Sequence, residues 1–331
     1  MARAFVTGGT GLLGRALVAA LRRRGDEVVA LARSERAAAA LREAGARPVQ
    51  ADLLDEPALR AAMDGCDVAF HVAGVNTLCP RDPSELERVN VAGAACVARA
   101  AAAAGLPRLV HTSSAATIGE RRGETGREDT PHRGWFLSDY DRTKYAGERA
   151  VLEIGAREGL DVVCVNPASV QGPGRASGTG KMLLAQLDGR LRVFVDTRFS
   201  VVDIDDCTRG HLLAAEHGAP GQRYILCGAT LTSEEALALL ARLGGSTARP
   251  RFVPAWLAPP LAGAVEAVFR ALRREPPACR AMARTLLHGH AYDGSRATRE
   301  LGLRYTPVED TLRRTAAWAH AEGLLRRPLA G

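Results

Sequence analysis

The sequence predicts an α/β fold, in which a doubly wound parallel sheet is followed by a smaller, discontinuous C-terminal domain. The first 170 residues alternate apolar runs with amphipathic helical patterns. These runs are nearly continuous, as is typical of parallel strands that are covered on both faces. A glycine-rich turn follows the first run directly and opens the first helix, as expected at the start of such a sheet.

Six segments of this first part are predicted to be strands, and helical patterns separate them. The first helix is representative, because apolar residues recur at Leu13, Leu17 and Leu21 before the pattern ends at Gly25. Open α/β sheets bind ligands at the carboxyl ends of their strands, so we expect functional residues there. The predicted strands cover residues 4–9, 27–32, 47–53, 67–74, 108–114 and 160–169.

The alternation ends after about residue 170. A glycine-rich stretch leads into a helix, and shorter apolar runs predict strands within 193–206 and at 224–228. A further helix opens at Thr232 or Ser233, with a glutamate at the position of a capping box. The expected division is a first domain over residues 1–170, with returning segments near 195–230, and a second domain over 171–194 and 231–331.

The composition argues against several functional classes. At 331 residues and 47% hydrophobic content the chain can bury a large core, which excludes disorder. The net charge of +7 is modest, and the sequence has no RNA-binding motif, so we expect no nucleic-acid partner. No signal peptide or membrane-length apolar run is recognisable, which predicts a cytoplasmic protein without a membrane segment. Only two of the 44 basic residues are lysines, Lys144 and Lys181.

The cysteines and histidines give no sign of a cross-linked or metal-dependent protein. The seven cysteines are scattered and form no C-x-x-C pair, so we expect reduced core residues rather than a disulfide framework. Among the eight histidines only His288-x-His290 has a spacing that a metal site uses. We interpret it as a surface or core pair, and we expect no metal ion.

The glycine-rich turn TGGTGLLG places Gly8, Gly11 and Gly14 three residues apart, between the first strand and the first helix. Gly8 permits the tight turn, Gly11 allows backbone N–H groups to approach a pyrophosphate, and Gly14 lets the helix pack on the strand. The spacing alone is a weak signal, but its position predicts a dinucleotide-binding Rossmann fold. The alternative is an ordinary strand-to-helix turn.

The residues after the second strand bear on which dinucleotide binds. NAD-dependent proteins usually have an acid there, which binds the ribose 2′-hydroxyl. This chain has Arg33 followed by Ser34, a pair suited to a 2′-phosphate, so we predict NADP(H) over NAD(H). Arg33 as a solvated residue at a helix start is the alternative. Asp52, after the third strand, is a candidate for the adenine amino group or for a helix N-cap.

Tyr140 and Lys144 stand four residues apart in a predicted helix capped by Ser138 or Asp139. One helical turn places both side chains on the same face. A phenol is a poor proton donor or acceptor at neutral pH unless a nearby ammonium stabilises the phenolate. With so few tyrosines and lysines the spacing is unlikely to arise by chance, although a surface ion-pair spacing is the alternative.

Several segments together resemble the extended short-chain dehydrogenase/reductase family. They are the glycine loop, HVAG at 71–74, Asn90-Val91-x-Gly93, HTSSAAT at 111–117 and Tyr140-x-x-x-Lys144. Within that family the chain looks most similar to the dihydroflavonol-reductase-like branch and to hopanoid-associated epimerase-like proteins. The resemblance covers nearly the whole chain and is weakest between about residues 246 and 288.

The resemblance implies catalytic roles for Ser114, Tyr140 and Lys144. Tyr140 matches the family's catalytic tyrosine, and Lys144 matches the lysine that holds the nicotinamide ribose and lowers the pKa of that tyrosine. Ser114 matches the serine that hydrogen-bonds the substrate oxygen, with Ser113 as the alternative. The expected cofactor-binding residues are Gly8, Thr10, Gly11, Leu12, Leu13, Gly14, Arg33, Asp52, Leu53, Val72, Ala73, Gly74, Thr112, Tyr140, Lys144, Pro167 and Ser169.

The leading functional hypothesis is an NADPH-dependent reductase of a ketone or aldehyde on a small molecule. One alternative is a nucleotide-sugar epimerase or dehydratase with a retained NAD(P), and another is an NADP-binding sensor without catalysis. The expected partners are a small carbonyl or alcohol substrate and a second copy of the chain in a homodimer. Substrate identity and the roles of Lys181 and of the arginines at 270–284 are open at this point.

Overall fold

A computed structural model describes residues 1–243 and 249–325 of the chain. The strands are β1 Arg3–Thr7, β2 Glu27–Ala32, β3 Arg47–Gln50, β4 Val68–His71, β5 Arg108–Thr112, β6 Asp161–Pro167, β7 Ser169–Gln171, β8 Val193–Phe194, β9 Arg198–Asp203, β10 Arg223–Leu226, β11 Ala229–Thr232 and β12 Arg251–Phe252. The helices are α1 Leu12–Arg23, α2 Glu35–Glu43, α3 Glu56–Met63, α4 Ser84–Leu86, α5 Ala94–Ala103, α6 Asp139–Glu158, α7 Thr179–Leu187, α8 Ile204–His217, α9 Ser233–Arg242, α10 Ala258–Ala271, α11 Arg280–His288, α12 Ser295–Leu301 and α13 Val308–Ala321. A π-helical segment, Glu87–Gly93, joins α4 to α5, and a short 3-10 helix covers Ala115–Ile118.

Seven parallel strands form the central sheet in the order β10-β6-β5-β4-β1-β2-β3. The chain runs outward from β1 through β2 to β3, and it then continues from β4 on the other side of β1. This reversal between β1 and β4 is the switch point where ligands of doubly wound sheets bind. The predicted Rossmann-type α/β fold is therefore confirmed.

The nearly continuous burial of the strands follows from helices on both faces. In β1, Ala4 and Val6 point to a core that includes Leu17 of α1 and Leu41 of α2. Phe5 points the other way, to the core formed with α3, α5 and α6. Because successive side chains of a strand alternate between faces, both sets must be apolar when both faces are covered.

The chain after β6 contributes smaller sheets and a helical cluster. Strands β11, β9 and β7 form one sheet, and β12 pairs with β8 in another. Helix α9 is capped by Thr232 in a full capping box with Glu235. The second domain predicted at 171–194 and 231–331 remains a prediction, and its residues 244–248 and 326–331 lie outside the described part of the chain. No described helix is both long enough and apolar enough to cross a membrane.

Ion pairs and a hydrogen bond of long sequence separation attach α13 and the residues before it to the end of β9 and the start of α8. Arg314 of α13 donates hydrogen bonds to Asp203 at 2.5 Å and to Asp205 at 2.6 Å. The backbone N–H of Thr306 donates to the buried carboxylate of Asp206 at 2.6 Å. The C-terminal helices are therefore fixed to α8, which itself packs against the central sheet.

The cysteines differ from the sequence expectation at one place. Five of them are buried and free, as expected: Cys66, Cys96, Cys164, Cys207 and Cys227. Cys79 and Cys279, which are 200 residues apart, form a disulfide, so the expectation of seven reduced cysteines was wrong for this pair. The bond connects the loop after β4 to the start of α11. Sequence spacing could not show it, because only the fold brings the two positions together.

Candidate active site

The glycine loop lies between β1 and α1 at the switch point of the sheet. Gly8 has a φ of +70°, and a Cβ there would approach the backbone nitrogen of Ala73 to 2.7 Å. A Cβ on Gly14 would overlap the carbonyl of Gly8. Gly11 is the N-cap of α1 and provides no side-chain hydrogen bond, so the first N–H groups of the helix stay available to an anion. The loop therefore fits a dinucleotide pyrophosphate.

The other predicted cofactor residues are gathered at the same edge of the sheet. Thr10, Leu12 and Leu13 lie at the start of α1, and Thr112, Pro167 and Ser169 lie where β5 and β6 end and β7 begins. After β4 come Val72, Ala73 and Gly74, where the N–H of Ala73 donates to the Thr7 hydroxyl at 3.1 Å. Leu53 is buried, and a Cβ on Gly93 would collide with it.

Arg33 is exposed directly after β2 and makes no hydrogen bond or ion pair with another described residue. Its neighbour Ser34 caps α2, where its hydroxyl accepts a hydrogen bond from the N–H of Ala37. Asp52 is also exposed, and its carboxylate accepts from the N–H of Leu54 at 2.9 Å. The N-cap of α3 is Asp55, so the alternative interpretation of Asp52 as an N-cap was wrong.

Tyr140 and Lys144 lie on α6, and Ser138 is its N-cap, because its hydroxyl accepts a hydrogen bond from the N–H of Asp141. Lys144 is 5% exposed, and its ammonium donates to the carbonyl oxygen of Thr112 at 2.7 Å. A Cβ on Gly147 would overlap the Asn90 carbonyl, so this glycine permits close packing of α6 against the π-helical segment. Helix α6 is thus held by the Lys144 hydrogen bond at the end of β5 and by its close packing on the π-helical segment.

Burial changes the pKa of both side chains. It lowers the pKa of Lys144 to about 8, although the Glu148 carboxylate opposes the shift. It raises the pKa of Tyr140, against the influence of the nearby Ser114 hydroxyl. The lowered pKa that the resemblance implies for Tyr140 is therefore not found in this structure, where the Lys144 ammonium is directed to the Thr112 carbonyl.

Ser114 and Ser113 follow β5 and differ in their surroundings. Ser114 begins the 3-10 helix, and its hydroxyl accepts from the N–H of Ala116 at 3.2 Å while lying near the phenol of Tyr140. The Ser113 hydroxyl is buried without a hydrogen-bond partner among the described residues. The structure thus brings Ser114 to the Tyr140 side chain.

Two buried residues that the sequence analysis did not assign to the site support it. Asn90 donates to the Val75 carbonyl at 3.1 Å and accepts from the Val75 N–H at 2.8 Å, which holds the loop after β4. Glu148, one turn after Lys144, accepts hydrogen bonds from Asn166 and Thr117. The spacing of Glu148 from Lys144 was a usable signal, since it continues the same helical face.

Arg175 is a third residue that the sequence analysis missed. It lies in the glycine-rich stretch before α7, is partly buried, and interacts electrostatically with Tyr140. No carboxylate among the described residues pairs with its guanidinium, and its Nε is buried without a partner. Its only sequence signal was its position between the glycines of that stretch. A positive charge thus faces the candidate site from the C-terminal side.

Three buried histidines lie around the ends of β4 and β5. His71 and His111 are opposite each other on neighbouring strands, with ring centroids 5.2 Å apart. His211 of α8 lies 2.9 Å from the Thr112 hydroxyl. Burial lowers the pKa of His71 to about 3, that of His211 to about 4 and that of His111 well below the usual range. The surroundings of Lys144 are therefore uncharged on this side.

Comparison with known proteins agrees with this geometry. The model of the NAD dependent epimerase/dehydratase family matches residues 4–227, which is more than half of the chain. The chain belongs to the NAD dependent epimerase/dehydratase family. The match spans the glycine loop, the tyrosine–lysine helix and the last strand of the central sheet, and it confirms the resemblance to extended short-chain dehydrogenases/reductases. This family member is an NAD(P)-dependent oxidoreductase.

Similar proteins extend the match over almost the whole chain. Sterol demethylase protein B of Methylococcus capsulatus is 35% identical over 97% of this chain and 99% of its own length. A 4-hydroxy-2-methyl-3-oxo-4-farnesyl-3,4-dihydroquinoline-1-oxide ketoreductase of Stigmatella aurantiaca is 33% identical over 91% of each chain. The solved structure of gox2253 superposes with a TM-score of 0.85 at 29% identity, covering 98% of this chain and 100% of that one.

Proposed function

We propose that this chain is an NADPH-dependent reductase that acts on a ketone or aldehyde of a small molecule. The observation that carries the proposal is the convergence of Tyr140, Lys144 and Ser114 at the strand ends, next to the glycine loop. A similar protein that is named a ketoreductase supports the reductive direction.

Each of the three side chains has a role that its surroundings support. Bound NADPH supplies a hydride to the carbonyl carbon. Tyr140, whose side chain lies beside Ser114, donates its proton to the carbonyl oxygen. Ser114 orients the same oxygen by a hydrogen bond. Lys144 holds the cofactor ribose and compensates the negative charge left on Tyr140.

The preference for NADPH over NADH is assigned to Arg33. Its guanidinium is exposed beyond the end of β2 and has no partner among the described residues, so a 2′-phosphate there would form a new charge-assisted pair. The remaining residues of the cofactor site keep the roles stated above as predictions. A homodimer is also part of this proposal, and light scattering of the purified protein measures it.

The substitution Tyr140→Phe tests the function. It should lower kcat with a panel of ketones and aldehydes by about 10²- to 10⁴-fold, the usual contribution of a positioned proton donor. The affinity for NADPH, measured by titration calorimetry, should stay unchanged. Tyr145→Phe is the matched control, since Tyr145 lies on the same helix but packs against His132 and Phe136.

Two results would overturn the proposal. A fully active Tyr140→Phe variant would remove Tyr140 from the reaction. Purification with tightly retained NAD(P), together with conversion of a nucleotide sugar without net NADPH consumption, would instead identify an epimerase or dehydratase.

A further inference from the structure

A second cluster of buried polar side chains lies where the loop after Ser114 meets the C-terminal part of the chain. Its members are Glu120, His288 and His290, whose side chains are 1%, 4% and 16% exposed. None of the three belongs to the predicted catalytic or cofactor-binding residues. Glu120 and His290 are 170 residues apart in sequence, so the fold alone brings the carboxylate to the two imidazoles.

The backbone around the cluster holds the two segments together. Gly289 ends α11 with a φ of +70°, and this left-handed turn lets the residues on either side of it face the same acid. Three residues after Gly289, Tyr292 pairs with Gly126 in a β-bridge, which joins the C-terminal segment to the loop that carries Glu120. The three side chains are therefore held in place by structure that surrounds them.

The distances within the cluster are short. The Nδ1 atom of His290 lies 2.5 Å from the Oε1 atom of Glu120, and the Nε2 atom of His288 lies 3.5 Å from the same oxygen. One ligand atom from each residue can be chosen so that all three lie within 4.8 Å of one another. Tetrahedral zinc places its ligand atoms roughly 3.3 Å apart, so small side-chain rotations would complete the set.

Three atoms of the cluster are buried without a hydrogen-bond partner among the described residues. They are the Nε2 atoms of His288 and His290 and the Oε2 atom of Glu120. A buried polar atom left unpaired costs about 1–3 kcal/mol, and such atoms are rare in folded proteins. Three such atoms on three neighbouring side chains are groups that a bound ion could engage.

We propose that Glu120, His288 and His290 form a binding site for one divalent transition-metal ion, for which Zn²⁺ is the best match. Two imidazoles and one carboxylate are a usual ligand set for zinc, and the negative carboxylate neutralises one of the two positive charges of the ion. No thiolate of the described cysteines takes part, which argues against a soft-metal site. A solvent molecule or a further side chain would occupy the fourth position.

Two further features lie next to the cluster. The Tyr292 hydroxyl lies 2.9 Å from Nδ1 of His290 and helps to fix the orientation of this imidazole. A cavity of about 270 Å³, lined by His288 with Gly123, Thr197 and Arg198 among others, lies beside the cluster. The ion would join the loop after the catalytic serine to the end of α11, and it would act on structure rather than on the reacting atoms.

The competing explanation is a contact in which the two imidazoles face Glu120 without any metal. The charge of Asp141 does not decide between the metal site and the metal-free contact, because Arg133 lies 3.7 Å from its carboxylate and balances it. That arrangement leaves Nε2 of His290 and Oε2 of Glu120 without a hydrogen-bond partner among the described residues, whereas a metal ion would engage at least one of them. Direct measurement of binding separates these two states.

The test uses the full chain without a histidine tag, freed of metal by dialysis against a chelator. Co²⁺ is titrated while its visible absorption is recorded, Zn²⁺ is then added in competition, and bound zinc is counted by atomic emission. We expect one equivalent per chain, with displacement of Co²⁺ by Zn²⁺. His288→Ala, His290→Ala and the isosteric Glu120→Gln should each weaken binding by at least about 100-fold, more than the loss of an outer-shell contact.

The matched controls are His217→Ala and His320→Ala, which remove exposed histidines and should bind one equivalent like the wild type. Circular dichroism establishes that each variant is folded. Zinc should raise the melting temperature of the wild type but not that of the three site variants. Absence of stoichiometric binding in the wild type would overturn the proposal. So would equal zinc content in the wild type and in folded Glu120→Gln. Both readouts are independent of reductase activity.

Discussion

The catalytic half of the molecule and its C-terminal part depend on residues that differ in their separation along the sequence. Tyr140 and Lys144 are four residues apart on one helix, and Gly8, Gly11 and Gly14 of the loop lie within seven residues. The C-terminal part depends on pairs such as Thr306 with Asp206, 100 residues apart, and Cys79 with Cys279, 200 residues apart. Residues close in sequence thus form the candidate active site, whereas pairs distant in sequence position the C-terminal part of the chain.

The largest expected effect comes from breaking the longest of these connections with Cys79→Ser. Removing a cross-link that closes a loop of this length gives the unfolded chain more conformational freedom, which should lower the free energy of unfolding by up to about 5 kcal/mol. Urea unfolding with and without a reductant measures the change. Reductant should destabilise the wild type but not the variant. An unfolding midpoint of the wild type that ignores the reductant would contradict the prediction.

A smaller effect is expected in the catalytic half when Arg33 is replaced by alanine. Loss of a charge-assisted contact to the 2′-phosphate costs about 1.5–3 kcal/mol, so the affinity for NADPH should fall by roughly 10- to 100-fold while that for NADH stays the same. Calorimetric titration of both cofactors provides the measurement. Arg23→Ala, at the far end of α1, is the control and should change neither affinity. Equal losses for both cofactors would show that Arg33 does not select between them.

The smallest expected effect is a pH dependence that originates at Lys144. Its pKa is lowered to about 8, so the ammonium loses its proton as the pH rises through that value. The ratio kcat/KM should therefore decrease above about pH 8. Lys144→Arg should be less active at every pH but should not show this decrease, because a guanidinium keeps its proton. A wild-type profile that stays flat to pH 10 would count against the role of Lys144.

Much of the catalytic half could be predicted from sequence because its signals are local. The strand after which Arg33 stands, the glycine turn and the four-residue spacing of Tyr140 and Lys144 are all visible within short windows. The cap of α6 was narrowed to two residues, and the hydroxyl of Ser138 is the one that accepts the hydrogen bond. Periodicity and capping chemistry are properties of neighbouring residues, which is why they could be identified without a structure.

The rest could not be predicted, because it depends on residues that only the folded chain brings together. The spacing of His288 and His290 was visible, but the carboxylate of Glu120 that faces them was not. The raised pKa of Tyr140 has the same origin, since burial is a property of the whole structure and not of a motif. Arg175 likewise gained significance only when the fold placed it near the phenol.

The buried histidines around β4 and β5 have a consequence for the conditions that the fold tolerates. His71 and His211, with pKa values of about 3 and about 4, stay uncharged in the folded chain at pH values where the unfolded chain takes up protons. The free energy of unfolding therefore decreases as the pH falls below about 6.5, and the decrease continues until the folded pKa values are reached. The sheet edge that orders the reactive groups thus also contributes to the loss of stability in acid.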